Sequence, residues 1–171
     1  MFLIAVDGSI FDFDLEFLRD FARFLDAHLE HLEEEALRVP DPDGFGVYES
    51  AEYIVGLGFV ACQAYLAATY GGLHVKKIEA LKAGPGHRSG YTIAELVDHA
   101  ANFWKHHEEW PLNPNAPPQV RTLAALAALD IDGNDYALTC VLAAVVLPTR
   151  SRFHALLSHL EAWRDALASA V

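Results

Sequence analysis

The segment from Tyr53 to Leu73 constrains the fold more than any other part of this chain, because none of its residues carries a charge. A stretch of this length could span a bilayer. However, Gln63 lies at its centre, Gly56 and Gly58 interrupt it, and no basic residue directly precedes it as an anchor. A helix that is apolar on all sides is also typical of the centre of a soluble bundle. The segment therefore predicts a core helix surrounded by other helices, without membrane association.

A second helical pattern precedes this segment. Its apolar stripe consists of Leu18, Phe21, Leu25, His28 and Leu32, with Phe17 and Phe24 beside it. The spacings of three and four residues are the period of one helix face. We therefore expect this stripe, widened by Phe17 and Phe24, to face the core, and we expect His28 to be a hydrogen-bonded core histidine.

Proline, glycine and capping residues divide the chain into further segments. Helices are predicted at about 14–38, 47–70, 93–110, 119–129, 134–147 and 149–169, with a short helical turn near 75–81. Thr92 and Glu95 have the spacing of a capping box, and Pro111 disfavours helical geometry in the residue before it. The fold class is therefore all-α, a bundle of about five to six helices forming one domain over residues 1–171.

The N-terminal residues have a different pattern. Two short apolar runs flank Asp7 and Gly8, a dipeptide typical of tight turns between strands. This predicts a short β-hairpin over residues 1–13, and an irregular apolar arm is the alternative. Because the first residues lack a basic flank and Asp7 interrupts them early, we expect no signal peptide.

Cys62 and Cys140 both lie in apolar, alanine-rich surroundings. We expect two buried free thiols, which suits a reducing cytoplasm. The predicted location of the protein is therefore cytoplasmic.

Negative charge is concentrated at the start of the chain. The whole sequence has 12 basic and 24 acidic residues, for a net charge of −12. Residues 1–52 contain 14 acids and 3 bases, a balance of −11, whereas the rest contains 10 acids and 9 bases, a balance of −1. Such a surface repels nucleic acid and attracts a basic protein. The residues expected to bind that partner are Asp20, Asp26, Glu30, Glu33, Glu34 and Glu35.

An acidic cytoplasmic protein of this kind is expected to act through protein–protein binding, as an immunity protein or antitoxin does against a basic toxin. Complementary charge would speed the association and help to select the partner. The alternative for the acidic residues is a solvated helix face that keeps the protein soluble.

The helix predicted at 93–110 has one apolar and one polar face. Asn102, Lys105 and His106 lie on the polar face, within one turn of each other. Histidine could transfer a proton, lysine could stabilise phosphorane charge, and asparagine could orient a phosphate, so the three are candidate catalytic residues for phosphodiester cleavage. A wet charged face without a reaction is the alternative.

The spacing Asn102-x-x-x-His106 resembles part of the signature of HEPN domains, all-helical modules common in prokaryotic defence and toxin–antitoxin systems. In that motif an arginine precedes the polar residue, and Ala101 stands at that position here. The resemblance implies an all-helical ribonuclease or its inactive relative, with RNA as substrate. If the protein is such a ribonuclease, the polar face of the helix predicted at 93–110 should line a cleft or the interface of a homodimer.

A basic, glycine-rich connection, residues 74–90, precedes this helix. Its candidate anion-binding residues are Lys76, Lys77, Lys82 and Arg88. An anion could lie near the N-terminus of the helix that begins at Thr92, and under the ribonuclease interpretation these bases would guide RNA. The alternative is a surface connector whose bases pair with the acidic first helix.

Two sequence patterns resemble metal-binding sites. Residues 41–52 match an EF-hand loop at positions 1, 3, 6, 9 and 12, but Phe45 stands where an oxygen ligand belongs. His28 and His31 with Glu34 and Glu35 lack the further ligands of a di-iron bundle. We therefore expect neither a metal nor a cofactor.

Overall fold

A computed structural model of the chain describes residues 2–4, 10–112, 117–133 and 136–170. The strands in these ranges are β1 (Phe2–Ile4) and β2 (Ile10–Asp12), and the α-helices are α1 (Phe13–Ala36), α2 (Val47–Gly72), α3 (Lys77–Ala80), α4 (Ile93–His106), α5 (Pro117–Ala127), α6 (Ala137–Val146) and α7 (Phe153–Ala168). A 3₁₀ helix, His107–Leu112, follows α4. The predicted all-α fold class is confirmed.

The two short strands form an antiparallel pair in which Leu3 lies opposite Phe11. The strand pairing of the predicted hairpin is therefore present, while its predicted turn residues, Asp7 and Gly8, lie outside the described residues. That the whole chain forms one domain stays a prediction.

The helix α2 is the one around which the others pack. α1, α4, α6 and α7 all contact it, and Val55, Phe59 and Leu66 are among its fully buried side chains. The core position predicted from its uncharged sequence is confirmed. By length and composition alone α2 could also cross a membrane, and 44% of its most apolar 18-residue window is buried here. The absence of a membrane stays a prediction.

Two glycines let neighbouring helices approach the backbone of α2. A Cβ atom on Gly56 would lie 2.3 Å from the Trp104 ring of α4, and one on Gly58 would lie 2.1 Å from the Phe153 ring of α7. Since no side chain fits in either place, the two aromatic rings pack directly on the α2 backbone.

Carboxylates from the first two helices cap helices near the end of the chain. Asp26 of α1 accepts hydrogen bonds from the amides of Phe153 (2.8 Å) and His154 (2.9 Å) at the start of α7. Glu52 of α2 accepts from the amides of Leu138 (2.7 Å) and Thr139 (2.8 Å) at the start of α6. These contacts satisfy amides that have no partner within their own helix. Part of the acidity of residues 1–52 therefore serves the fold.

Asp12 joins three elements through one buried carboxylate. It caps α1 at the amide of Leu15 (3.0 Å), and it accepts from the Tyr65 hydroxyl (2.7 Å) and the Arg164 guanidinium (3.3 Å). Burial, followed by the hydrogen bond to Asp12, raises the pKa of Tyr65. This charge is buried but paired, as a buried carboxylate must be.

The predicted orientation of α1 is wrong for three residues. The side that packs against α2 and α7 is formed by Leu15, Leu18, Ala22, Leu25 and Leu29. Ala22 is 1% exposed, and its small side chain allows a close approach of the packed helices. The buried stripe is thus displaced by one row around the helix, which leaves Phe17, Phe24 and His28 exposed.

Two smaller expectations also fail. Cys62 is buried, but Cys140 is exposed on α6 because the inner side of that helix is the one formed by its leucines and valines. Burial raises the pKa of the Cys62 thiol to about 12. The helix α4 ends at His106 rather than at residue 110, because the chain tightens there into the 3₁₀ helix. Within the 3₁₀ helix, Trp110 packs edge-on against Phe103, with 5.5 Å between the ring centroids.

Candidate functional site

One side of α1 presents aromatic rings to solvent. Phe17 is 75% exposed, and Phe13 and Phe24 are each 57% exposed. The ring of His28 lies 4.4 Å from that of Phe24. The spacings of these residues place them on one side of the helix. We call Phe13, Phe17, Phe24 and His28 the α1 aromatic face.

An acidic row runs beside the α1 aromatic face. It consists of Glu16, Asp20, Glu30 and Glu34, all of them exposed. Asp20 lies three residues after Phe17 and four before Phe24, so it neighbours both rings. Apolar rings with charged residues at their edge form the usual anatomy of a protein-binding surface.

The six acidic residues predicted to bind a partner divide by their contacts. Asp26 caps α7, and Glu33 accepts from both Nη atoms of Arg152 at 2.8 and 2.6 Å. The hydrogen bond from Arg152 holds the pKa of Glu33 below its usual range. Both residues therefore connect α1 to α7 and its preceding loop.

Three of the other four are more accessible, namely Asp20, Glu30 and Glu34. Asp20 pairs with Arg23, Glu34 pairs with Arg38 at 2.9 Å, and Glu30 lies 3.5 Å from Arg150. Their side chains are 56 to 72% exposed. Glu35 is half-buried. Exposed pairs like these contribute little to stability, so Asp20, Glu30 and Glu34 stay available to a partner.

A polar cluster joins α2, α3 and α4. Asp98 is 6% exposed, and its carboxylate lies 2.8 Å from Nζ of Lys77. The Nε2 atom of Gln63 donates to Asp98 at 2.7 Å and to Asn102 at 3.0 Å. Nζ of Lys105 donates to Oε1 of Gln63 at 2.7 Å. Gln63, the one strongly polar residue in the predicted core segment, is therefore the point at which this cluster enters α2.

The three candidate catalytic residues do not converge on one point. Asn102 and Lys105 are both engaged by Gln63. His106 is exposed, with Nδ1 3.3 Å from a carboxylate oxygen of Glu109. The cleft that Asn102 lines does not include His106. The arrangement explains Asn102 and Lys105 as partners of a packed polar cluster.

A cleft of about 420 Å³ lies beside this cluster, between α3, α4 and α5. We call it the α4–α5 cleft. Its polar lining residues are Lys77, Lys82, Glu95, Asp98, His99, Asn102, Arg121 and Thr122, and its apolar lining residues are Ile78, Leu81 and Pro118. Lys77 and Lys82, two of the predicted anion-binding residues, thus lie beside the polar face of α4.

The other two predicted anion-binding residues lie elsewhere. Lys76 is exposed, 3.8 Å from Glu79, and Arg88 lines a separate cavity beside α6 and α7. At the start of α4, the Thr92–Glu95 capping box is formed, and the amide of Ile93 donates to the carbonyl of Pro85. These amides are therefore occupied, so the start of α4 is not the open anion site that the sequence suggested.

His99 is the histidine that lines the α4–α5 cleft. Its Nδ1 atom lies 3.3 Å from Oγ1 of Thr122. Burial lowers the pKa of His99; the carboxylates of Asp98 and Glu95 oppose this, and Arg121 adds to it. The imidazole is therefore neutral at pH 7.

No group of three or more histidine, cysteine, aspartate or glutamate side chains suited to a metal ion occurs among the described residues. In the EF-hand-like loop, Glu52 caps α6, and Asp43 and Glu49 accept from the Tyr136 hydroxyl. The carboxylate that would close a calcium loop is thus committed to a helix cap.

Sequence reasoning missed the contribution of α5 to this cleft. Arg121 and Thr122 follow His99 by more than twenty residues, and no local pattern marks them. His99 and Asn102 had a detectable signal, because they share the polar side of α4.

Comparisons of the chain with models of protein families, with curated protein sequences and with solved structures find no match. The resemblance to HEPN domains stays a prediction.

Proposed function

We propose that this protein works by binding a basic protein partner through the α1 aromatic face, in the way an immunity protein or antitoxin neutralises a basic toxin. The observation that supports this most is the exposure of Phe17 and Phe24 on the helix where acidic residues are concentrated. A contiguous aromatic patch rimmed by charge is the kind of surface that soluble proteins use for partners.

The aromatic rings would supply most of the binding energy. Burying one phenylalanine side chain contributes about 1.5–3 kcal/mol, so Phe17 and Phe24 together account for a large share of a specific interface. Aromatic residues are also typical of the few positions that dominate binding.

The acidic row would select the partner and speed its approach. Asp20, Glu30 and Glu34 are exposed next to the rings, and long-range attraction to a basic surface raises association rates at low salt. A second copy of this chain is disfavoured on the same face, because residues 1–52 carry a balance of −11 in each copy. We therefore do not place the interface of the predicted homodimer on the α1 aromatic face.

The ribonuclease alternative has less support. Asn102 and Lys105 are engaged by Gln63, and His106 lies away from the cleft that Asn102 lines. Water activation and phosphate binding would need these groups to converge on one reacting atom.

The proposal can be tested by affinity capture from a lysate of the native organism, using three forms of the full chain. The wild type and the control Phe45→Ser should retain a basic protein at about 50 mM salt and release it at about 500 mM, because screening weakens the attraction. Phe45 is a suitable control since it is 67% exposed but lies in the loop after α1. The double variant Phe17→Ser/Phe24→Ser should not retain that protein.

If all three forms retain the same proteins, or if none retains a basic protein, the proposal is wrong. It is also wrong if the purified wild type is a dimer that Phe17→Ser/Phe24→Ser converts to a monomer, because a second copy would then occupy the face.

A further inference from the structure

The α4–α5 cleft contains two cations that other described residues leave unpaired. Lys77 is matched by Asp98 at 2.8 Å, and Glu95 is held by its capping bond to the Thr92 amide at 2.9 Å. Lys82 and Arg121 line the same cleft, are both exposed, and form no hydrogen bond or ion pair with another described residue. Because Glu95 keeps its negative charge, the cleft has three cations against two carboxylates, and Lys82 and Arg121 are the cations available to a ligand.

We propose that the α4–α5 cleft binds a small phosphate monoester. A phosphate monoester carries a charge of about −1.5 to −2 at pH 7, and Lys82 and Arg121 are the two cations that could contact it. A guanidinium binds phosphate oxygens through two parallel hydrogen bonds, and an ammonium serves as a point charge beside it. Arg121 and Lys82 supply one of each.

The neutral groups of the cleft are more enclosed than its cations. Thr122 is 2% exposed, and its hydroxyl lies 3.3 Å from Nδ1 of His99. Bound phosphate would favour protonation of His99, because its negative charge opposes the burial that lowers the pKa of that imidazole.

The rest of the ligand would contact the apolar wall. Ile78, Leu81 and Pro118 are the apolar residues that line the cleft. The volume of about 420 Å³ lies within the range of small-molecule sites. An organic phosphate should bind more tightly than inorganic phosphate for this reason. This site lies on α3, α4 and α5, so the inference does not depend on the function proposed for α1.

Binding to the intact protein can be measured by titration with phenyl phosphate, inorganic phosphate and phenyl sulfate, followed by NMR shifts of the His99 and Thr122 signals. We expect saturable binding of phenyl phosphate, weaker binding of inorganic phosphate, and the weakest binding of phenyl sulfate, which carries a single charge. Arg121→Ala and Lys82→Ala should each raise the dissociation constant about tenfold, the effect of losing one charge-assisted hydrogen bond.

The matched control is Lys76→Ala, which removes an exposed lysine of the same connection that does not line the cleft. It should leave the dissociation constant within about twofold, the change expected when a screened charge outside the cleft is removed. The inference is overturned if the wild type shows no saturable binding of phenyl phosphate up to about 10 mM. It is also overturned if phenyl sulfate binds equally well, or if Lys76→Ala weakens binding as much as Arg121→Ala.

Discussion

At the scale of single residues, His99 makes the free energy of unfolding depend on pH. Burial lowers its pKa, so the folded protein favours the neutral imidazole more than the unfolded chain does. A lowered folded-state pKa stabilises the protein above the unfolded value of about 6.5, and this contribution is lost as the pH falls through the folded-state pKa. His99 should therefore weaken the fold in mild acid.

We predict that the free energy of unfolding falls between about pH 7.5 and pH 5.5 in the wild type, and falls less in His99→Asn. Urea unfolding at the two pH values measures this difference. An unchanged slope in His99→Asn would show that the buried imidazole does not set this dependence.

Only some of the candidate site residues could be predicted from local sequence patterns. The polar face of α4 was predictable because residues three and four positions apart share one side of a helix. Arg121 and Thr122 were not predictable, because their approach to His99 depends on how α5 packs against α4. The exposure of Phe17 and Phe24 was missed for a related reason, since apolar periodicity does not say which of two adjacent rows faces the core.

At the scale of secondary structure, several helices depend on contacts from far along the chain. The carboxylate of Asp26 caps α7 across a sequence separation of 127 residues. The residue at the start of α7 itself, Arg152, makes no side-chain cap. Helix existence could be read from the sequence, whereas these long-range caps could not, because they require the final packing of α1 on α7.

We predict that Asp26→Ala lowers the free energy of unfolding by about 1–2 kcal/mol, since it leaves two amides at the start of α7 without their acceptor. Asp26→Asn should lose less stability than Asp26→Ala, because its amide oxygen can still accept from one of the two amides, whereas its NH2 group cannot accept from the other. Asp20→Ala, which removes an exposed acid of the same helix, should change stability by less than about 0.5 kcal/mol. Equal losses in Asp26→Ala and Asp20→Ala, measured by urea unfolding, would rule out the capping role.

The glycines of α2 provide a second test at this scale. Gly58→Ala should destabilise the protein by about 1–3 kcal/mol, because its Cβ atom would lie 2.1 Å from the Phe153 ring. Gly71→Ala, on the same helix with nothing within 4 Å of the added Cβ, should be neutral or stabilising by up to about 1 kcal/mol. Thermal unfolding of the two variants measures this difference, and equal effects of the two substitutions would contradict the close packing of Phe153 on Gly58.

At the scale of the whole molecule, negative charge has two separate uses. Asp12, Asp26, Glu33 and Glu52 are engaged within the fold, by helix N-termini and by arginines from the last quarter of the chain. Composition alone could not separate these acids from those of the exposed row, because both groups occur in the same first 52 residues. What remains exposed on α1 is a narrower acidic surface than the sequence suggested, with aromatic rings beside it.

The central claim is that this surface binds a basic partner through Phe17 and Phe24. The most direct test is the dissociation constant of the captured partner, measured by calorimetry with the wild type, Phe45→Ser and Phe17→Ser/Phe24→Ser at the same salt concentration. We predict equal affinity for the first two and at least tenfold weaker binding for the double variant, since even about 1.4 kcal/mol of lost ring burial has that effect. Equal affinity for all three forms would contradict the claim.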